Sequence, residues 1–131
     1  MPHTHAVCLA IFIGIGSRYE TDSEAGACHF IEHVLFRGTP TRPTARDISE
    51  SIEGLGGILN GATDKELTFY WCKVTNEHFP VAAEVLSDML LRSNFKPEDI
   101  EKERQVIVEE INMCKDSPSQ QVGMLIDEIM W

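Results

Sequence analysis

Cys28-His29-Phe30-Ile31-Glu32-His33 is the stretch on which the reading of this chain turns. On a helix, His29 and His33 lie one turn apart on the same face, where two imidazoles can reach one metal ion. Glu32 follows His29 by three residues and so stands beside that point. Outward from the hexad, Thr21, Asp22 and Ser23 are N-cap candidates, and the sequence from Glu24 to Phe36 is apolar nearly all round. A buried helix is expected. Buried imidazoles and a buried carboxylate need partners, and a metal would supply one for all three.

A third ligand is found on a later helix, opened by Pro97-Glu98-Asp99 with proline in the first turn and acids near the positive end of the dipole. At 100° per residue, Ile100, Val106, Ile107, Ile111, Met113 and Cys114 form one apolar arc, with Glu103 and Glu110 in its middle. Glu101, Lys102, Gln105, Glu109 and Asn112 lie opposite. Two carboxylates directed into a core are costly unless a cation or donors wait there. Glu110 is therefore the candidate ligand and Glu109 a solvated neighbour. Two histidines, one carboxylate and a free position for water make a catalytic rather than a closed zinc site. The pentad His29 to His33 is H-x-x-E-H, the reverse of the H-E-x-x-H zinc-peptidase motif.

The remaining sequence supplies a small α+β domain. With 131 residues the chain is long enough for one core and too short for two, so residues 1–131 are expected to form a single domain. A net charge of -10 argues against a phosphate-binding surface, and nucleic acid is not an expected partner. Ala6 to Ile13 reads as a buried strand: no Lys or Arg precedes it, no cleavage site follows, and it is too short to span a bilayer. A cytoplasmic location without membrane attachment is the resulting expectation. Cys8, Cys28, Cys72 and Cys114 form no C-x-x-C pair and read as reduced thiols, Cys28 and Cys114 being close enough to the histidines and to Glu110 to feel a metal.

Pro43 precedes an amphipathic helix through Ala45, Ile48, Ile52 and Leu55 that stops at Gly56-Gly57. Ile58 to Ala62 and Leu67 to Val74 read as a hairpin around Thr63-Asp64-Lys65-Glu66. Gly61 inside the first of these strands marks a bulge, the close approach of another backbone such as a peptide added to the sheet edge, or simply an irregular hairpin. Val81, Val85, Leu86, Met89 and Leu90 give the next helix its apolar face. Val122, Leu125, Ile126 and Ile129 give one to a last helix after Ser117-Pro118.

The chain resembles the pitrilysin/insulinase family of zinc peptidases, which includes the mitochondrial processing peptidases. The match rests on H-x-x-E-H at His29 to His33 and on Glu110 within Glu103-Arg104-Gln105-Val106-Ile107-Val108-Glu109-Glu110-Ile111. It extends to Gly16-Ser17-Arg18-Tyr19-Glu20, Gly38-Thr39, Gly56-Gly57, Asn60 and Glu66-Leu67-Thr68-Phe69-Tyr70. The resemblance implies an antiparallel sheet packed against helices, part of the zinc-bearing half of a two-half clamshell. It implies one Zn2+ per chain held by His29, His33 and Glu110, Glu32 as general base, and Glu103 as a second acid supporting the site. Asn60, Gly61 and Ala62 match the edge strand that pairs with a peptide substrate, although the family usually has alanine where this chain has Gly61. Since family halves are larger than this chain, the resemblance also implies a homo-oligomer or a partner chain that supplies the missing half. Hydrolysis of unfolded peptides is the expected activity, and a peptide-binding or scaffold module without turnover is the alternative.

Overall fold

The structure, a computed structural model, describes residues 5–130. Strand β1 (Ala6–Ile13) leads through two short 3-10 turns to helix α1 (Ala27–Leu35) and helix α2 (Ala45–Glu53). A hairpin of β2 (Ile58–Thr63) and β3 (Thr68–Thr75) follows, then helices α3 (Phe79–Arg92), α4 (Pro97–Asp116) and α5 (Pro118–Met130). The sheet is antiparallel in the order β1-β3-β2, so β3, the most β-prone and aromatic segment, takes the centre. The fold is α+β, as expected.

Strand alternation decides which face is covered. Thr68, Tyr70, Cys72 and Val74 of β3 are buried, while Phe69, Trp71, Lys73 and Thr75 look the other way. The buried row meets Leu35 of α1, Ile48 and Ile52 of α2, and Ala82, Val85, Leu86 and Met89 of α3, with Val7, Leu9, Ile11 and Leu59 packed alongside. On the opposite face Phe12 stacks on its register partner Phe69, with ring centroids 5.5 Å apart, and Phe12 stays exposed. β1 is therefore not the buried strand its composition suggests: among the described residues it is an edge strand with one half-covered face.

The segment between α1 and α2 is pinned to α3 through Asp88, which is fully buried. Its Oδ2 accepts from Thr39 Oγ1 at 2.6 Å and from Arg42 Nη1 at 2.9 Å, and its Oδ1 meets Arg92 Nε at 2.8 Å. Burial alone would raise the Asp88 pKa. The hydrogen bonds from Thr39 and Arg42 and the charges of Arg92 and Arg42 outweigh it and hold the carboxyl below its ordinary range.

Several expectations change in detail. Thr21 caps a 3-10 turn at Asp22–Glu24 through a capping box with Glu24, and α1 begins later, with Gly26 as its N-cap at φ +91°. Only Val34 and Leu35 of α1 are fully buried, and Ile31 is exposed, because the sheet and α4 cover just part of its girth. The hairpin has no bulge at Gly61, which pairs in regular register with Tyr70. A Cβ there would meet Phe36 Cε2 and Tyr70 Cδ1 at 3.1 Å, so the close neighbours are two side chains and not a backbone. On α4 the apolar arc is covered only in part: Glu103 is buried, while Val106, Ile111 and Met113 face outward.

Candidate metal centre

The start of α1 is held by an acid outside it. The first N–H groups of a helix have no partner within it, and the Glu20 carboxylate supplies one. Oε1 accepts from Cys28 N at 2.6 Å and Oε2 from Gly26 N at 2.7 Å. These two bonds, the Cys28 one foremost, keep the Glu20 carboxyl below its ordinary pKa. The Cys28 thiol is pushed up, by burial first and by the nearby Glu20 carboxylate next. It is a poor thiolate.

From that anchored start, His29 and His33 project from one face of α1 with ring centroids 4.7 Å apart and planes at 86°. Their Nε2 atoms lie 3.1 Å apart. α4 packs across α1 and brings in both acids of its inner face. Glu110 Oε2 is 3.6 Å from Nε2 of His29 and 3.6 Å from Nε2 of His33. Glu103 Oε2 is 3.0 Å from His33 Nδ1. Glu103 is only 2% exposed and its other oxygen is ion-paired with Arg37, one turn beyond His33. Glu110, expected to be buried, keeps 35% of its side chain exposed, as an open position beside a ligand requires.

The three candidate ligand atoms lie within 4.8 Å of one another. A tetrahedral ion with bonds of about 2.0–2.1 Å holds its ligands about 3.3–3.4 Å apart, so separations of 3.1, 3.6 and 3.6 Å enclose a space of the right size. The charge pattern agrees with it. Glu103 as an acceptor on Nδ1 places the His33 proton there and leaves the Nε2 lone pair facing Glu110 and His29, the arrangement found behind metal-bound histidines. This donor set fits zinc.

Glu32 does not belong to that triad. Its Oε2 accepts from Thr63 Oγ1 at 2.6 Å, and with His33, Arg37, Leu59, Asn60 and Glu103 it lines a cavity of about 400 Å³. Asn60 folds back so that its Oδ1 accepts from Gly61 N at 2.9 Å. Ala62 pairs with Phe69 on the face away from the core, and Gly61 packs under Phe36. The structure thus brings together His29, His33, Glu103 and Glu110, puts Glu32 and Asn60 on an adjoining cavity, and turns Gly61 inward.

Sequence reasoning passed over Arg37, Thr63 and Glu20. Arg37 was open to detection as a basic residue just past the C-terminus of α1, where a cation is favoured. Thr63 follows Gly61 by two and so shares its side of the strand. Glu20 acts across a turn whose path no local pattern reveals.

The family described as "Insulinase (Peptidase family M16)" matches residues 1–131. An uncharacterized zinc protease of Bacillus subtilis, YmxG, is 42% identical over 127 residues, covering 97% of this chain and 31% of the relative. An uncharacterized zinc protease of Streptomyces coelicolor is 40% identical over 131 residues, covering 100% of this chain and 28% of the relative. A protease from Helicobacter pylori superposes with a TM-score of 0.85 at 25% identity, covering 90% of this chain and 29% of that one. Pitrilysin does so with a TM-score of 0.76 at 25% identity, covering 86% and 12%. The chain therefore spans under a third of the length of each of these relatives.

Proposed function

The chain belongs to the insulinase family, peptidase family M16, and from that premise we propose that it carries the zinc-holding part of a metalloendopeptidase acting on unfolded peptides. The observation that carries the proposal is the convergence of His29 Nε2, His33 Nε2 and the Glu110 carboxylate, backed by Glu103 on His33 Nδ1.

His29, His33 and Glu110 would hold one ion, leaving its exposed side open to solvent and substrate. A zinc ion supplies Lewis acidity, which polarises a scissile carbonyl and lowers the pKa of water. Glu32 takes the proton of the attacking water on its carboxylate and passes it to the leaving amine. No covalent intermediate with the protein is required. Asn60, Gly61 and Ala62 belong to β2, whose outer edge has no partner strand among the described residues, so an extended peptide can add there by main-chain hydrogen bonds. Asn60 must then release Gly61 N, which its own side chain occupies.

The test measures zinc content and cleavage of a flexible peptide by the intact protein, with Glu32→Gln as the blank. About one zinc per chain in both, with cleavage only in the wild type, is the expected outcome. Loss of metal in Glu32→Gln would refute its role as base. Metal in both with no cleavage above the blank would favour a binding or scaffold module of the same fold.

A further inference from the structure

Strand β2 ends at Thr63, and the hydroxyl of Thr63 ties Glu32 to the sheet. Three features fix that hydroxyl. The β-branched side chain has restricted χ1 freedom. The backbone is in register with Thr68, on the central strand. Thr68 itself is buried, donates its hydroxyl proton to Ile15 O at 2.9 Å, and sits with its oxygen 3.5 Å from Thr63 Oγ1. A carboxylate only accepts, so the proton between Thr63 and Glu32 comes from the Thr63 hydroxyl.

A hydroxyl donating to a carboxylate at 2.6 Å is in the range of charge-assisted bonds, about twice as strong as neutral ones. It engages Oε2, and among the described residues no hydrogen bond is made to Oε1. A glutamate side chain on a half-covered helix has three rotatable bonds. Anchoring one oxygen to a paired strand restricts them while the other oxygen stays available. The anchor comes from the same strand that carries Asn60, Gly61 and Ala62.

We propose that Thr63 is a positioning residue for Glu32: its hydroxyl holds one carboxylate oxygen on the sheet so that the other faces the reacting proton. The proposal rests on the reading of Glu32 as the base. Among the described residues no hydrogen bond joins Thr63 to His29, His33 or Glu110, so its effect should appear in turnover and not in metal binding.

The experiment compares Thr63→Val, which keeps the shape and loses the hydroxyl, with Thr63→Ser, which keeps the hydroxyl, in the intact protein. Thr63→Val should retain zinc and KM while kcat falls about 10- to 100-fold, the scale of a small misplacement of a catalytic group, and Thr63→Ser should keep most of kcat. A second measurement needs neither zinc nor turnover. In metal-free protein, Thr63→Val should lower the unfolding midpoint by more in the wild-type background than in the Glu32→Gln background, because the two residues interact. Full kcat in Thr63→Val, loss of zinc in step with activity, or equal midpoint shifts in the two backgrounds would each overturn the proposal. A wild type no more active than Glu32→Gln would instead overturn the peptidase reading, while the unfolding comparison would still decide whether Thr63 holds Glu32.

Discussion

Glu103 and His33 are seventy residues apart in sequence, yet Glu103 Oε2 lies 3.0 Å from His33 Nδ1. The contact places a buried carboxylate behind the imidazole and in front of Arg37, so each charge in the row faces its opposite or a polar nitrogen. Such a carboxylate fixes the ring tautomer and raises the basicity of the nitrogen on the far side. Glu103→Gln removes the charge and leaves Arg37 against a neutral amide. Zinc affinity should fall about 10- to 100-fold with helix content kept, and Arg37→Met should weaken it less. Competition with a chelator, read beside circular dichroism, checks both. Unchanged affinity in Glu103→Gln would mean that the contact is structural only.

Adjacent acids provide the sharpest control on the ligand set. Glu109 is exposed on the outer side of α4, whereas Glu110 Oε2 is 3.6 Å from both imidazoles. Glu110→Gln should strip most of the bound zinc at micromolar protein concentrations, and Glu109→Gln should leave it in place. Equal zinc content in the two variants would remove Glu110 from the site.

Helical phase explains why that pair could be told apart from sequence. Residues on α1 and α4 recur every 3.6 positions, so the phase alone aims His29, His33, Glu103 and Glu110 at one seam once the helices pack. The strands were equally legible, since Ala6–Ile13 and the 58–75 hairpin carry β-prone runs bounded by turn residues. Burial was not. Apolar character on β1, α1 and α4 indicates which face can be covered, but whether it is covered depends on tertiary neighbours that periodicity does not contain. Gly61 stayed open for a related reason: strand glycine marks close approach without naming what approaches, and within this chain it is the Phe36 ring that lies against it. The roles of Thr63 and Glu20 depend on single long-range hydrogen bonds, which have no period at all.

Acid should unfold the protein partly through Asp88. Its folded pKa is below the ordinary 3.8, so the stability it contributes is fully present above that value and is lost as pH falls through the folded pKa. Asp88→Asn removes one partner of a buried ion pair and should cost about 3–5 kcal/mol at neutral pH. That difference from wild type should be constant from about pH 7 to pH 5 and shrink below about pH 4. Denaturant melts at pH 7 and pH 3 give the comparison. A difference that grows in acid would reverse the sign of the argument.

The outer surface of α4 and α5 sets the last expectation. Val106, Ile111 and Met113 on one helix and Leu125, Ile126 and Ile129 on the next are all exposed, and apolar residues exposed in numbers on neighbouring helices favour association. One exposed ion pair, Lys65 in the hairpin turn with Asp127, joins α5 to the sheet. Exposed apolar surface gains free energy when covered, by a second copy or by another chain. The 131-residue chain alone should therefore associate with rising concentration. Met113→Lys combined with Leu125→Lys, which interrupts the stripe on both helices, should return it towards monomer without loss of zinc, because neither residue is among the candidate ligands. Sedimentation of wild type and double variant across a hundredfold concentration range decides the matter. A wild type that stays monomeric throughout would show that the exposed stripe drives no association.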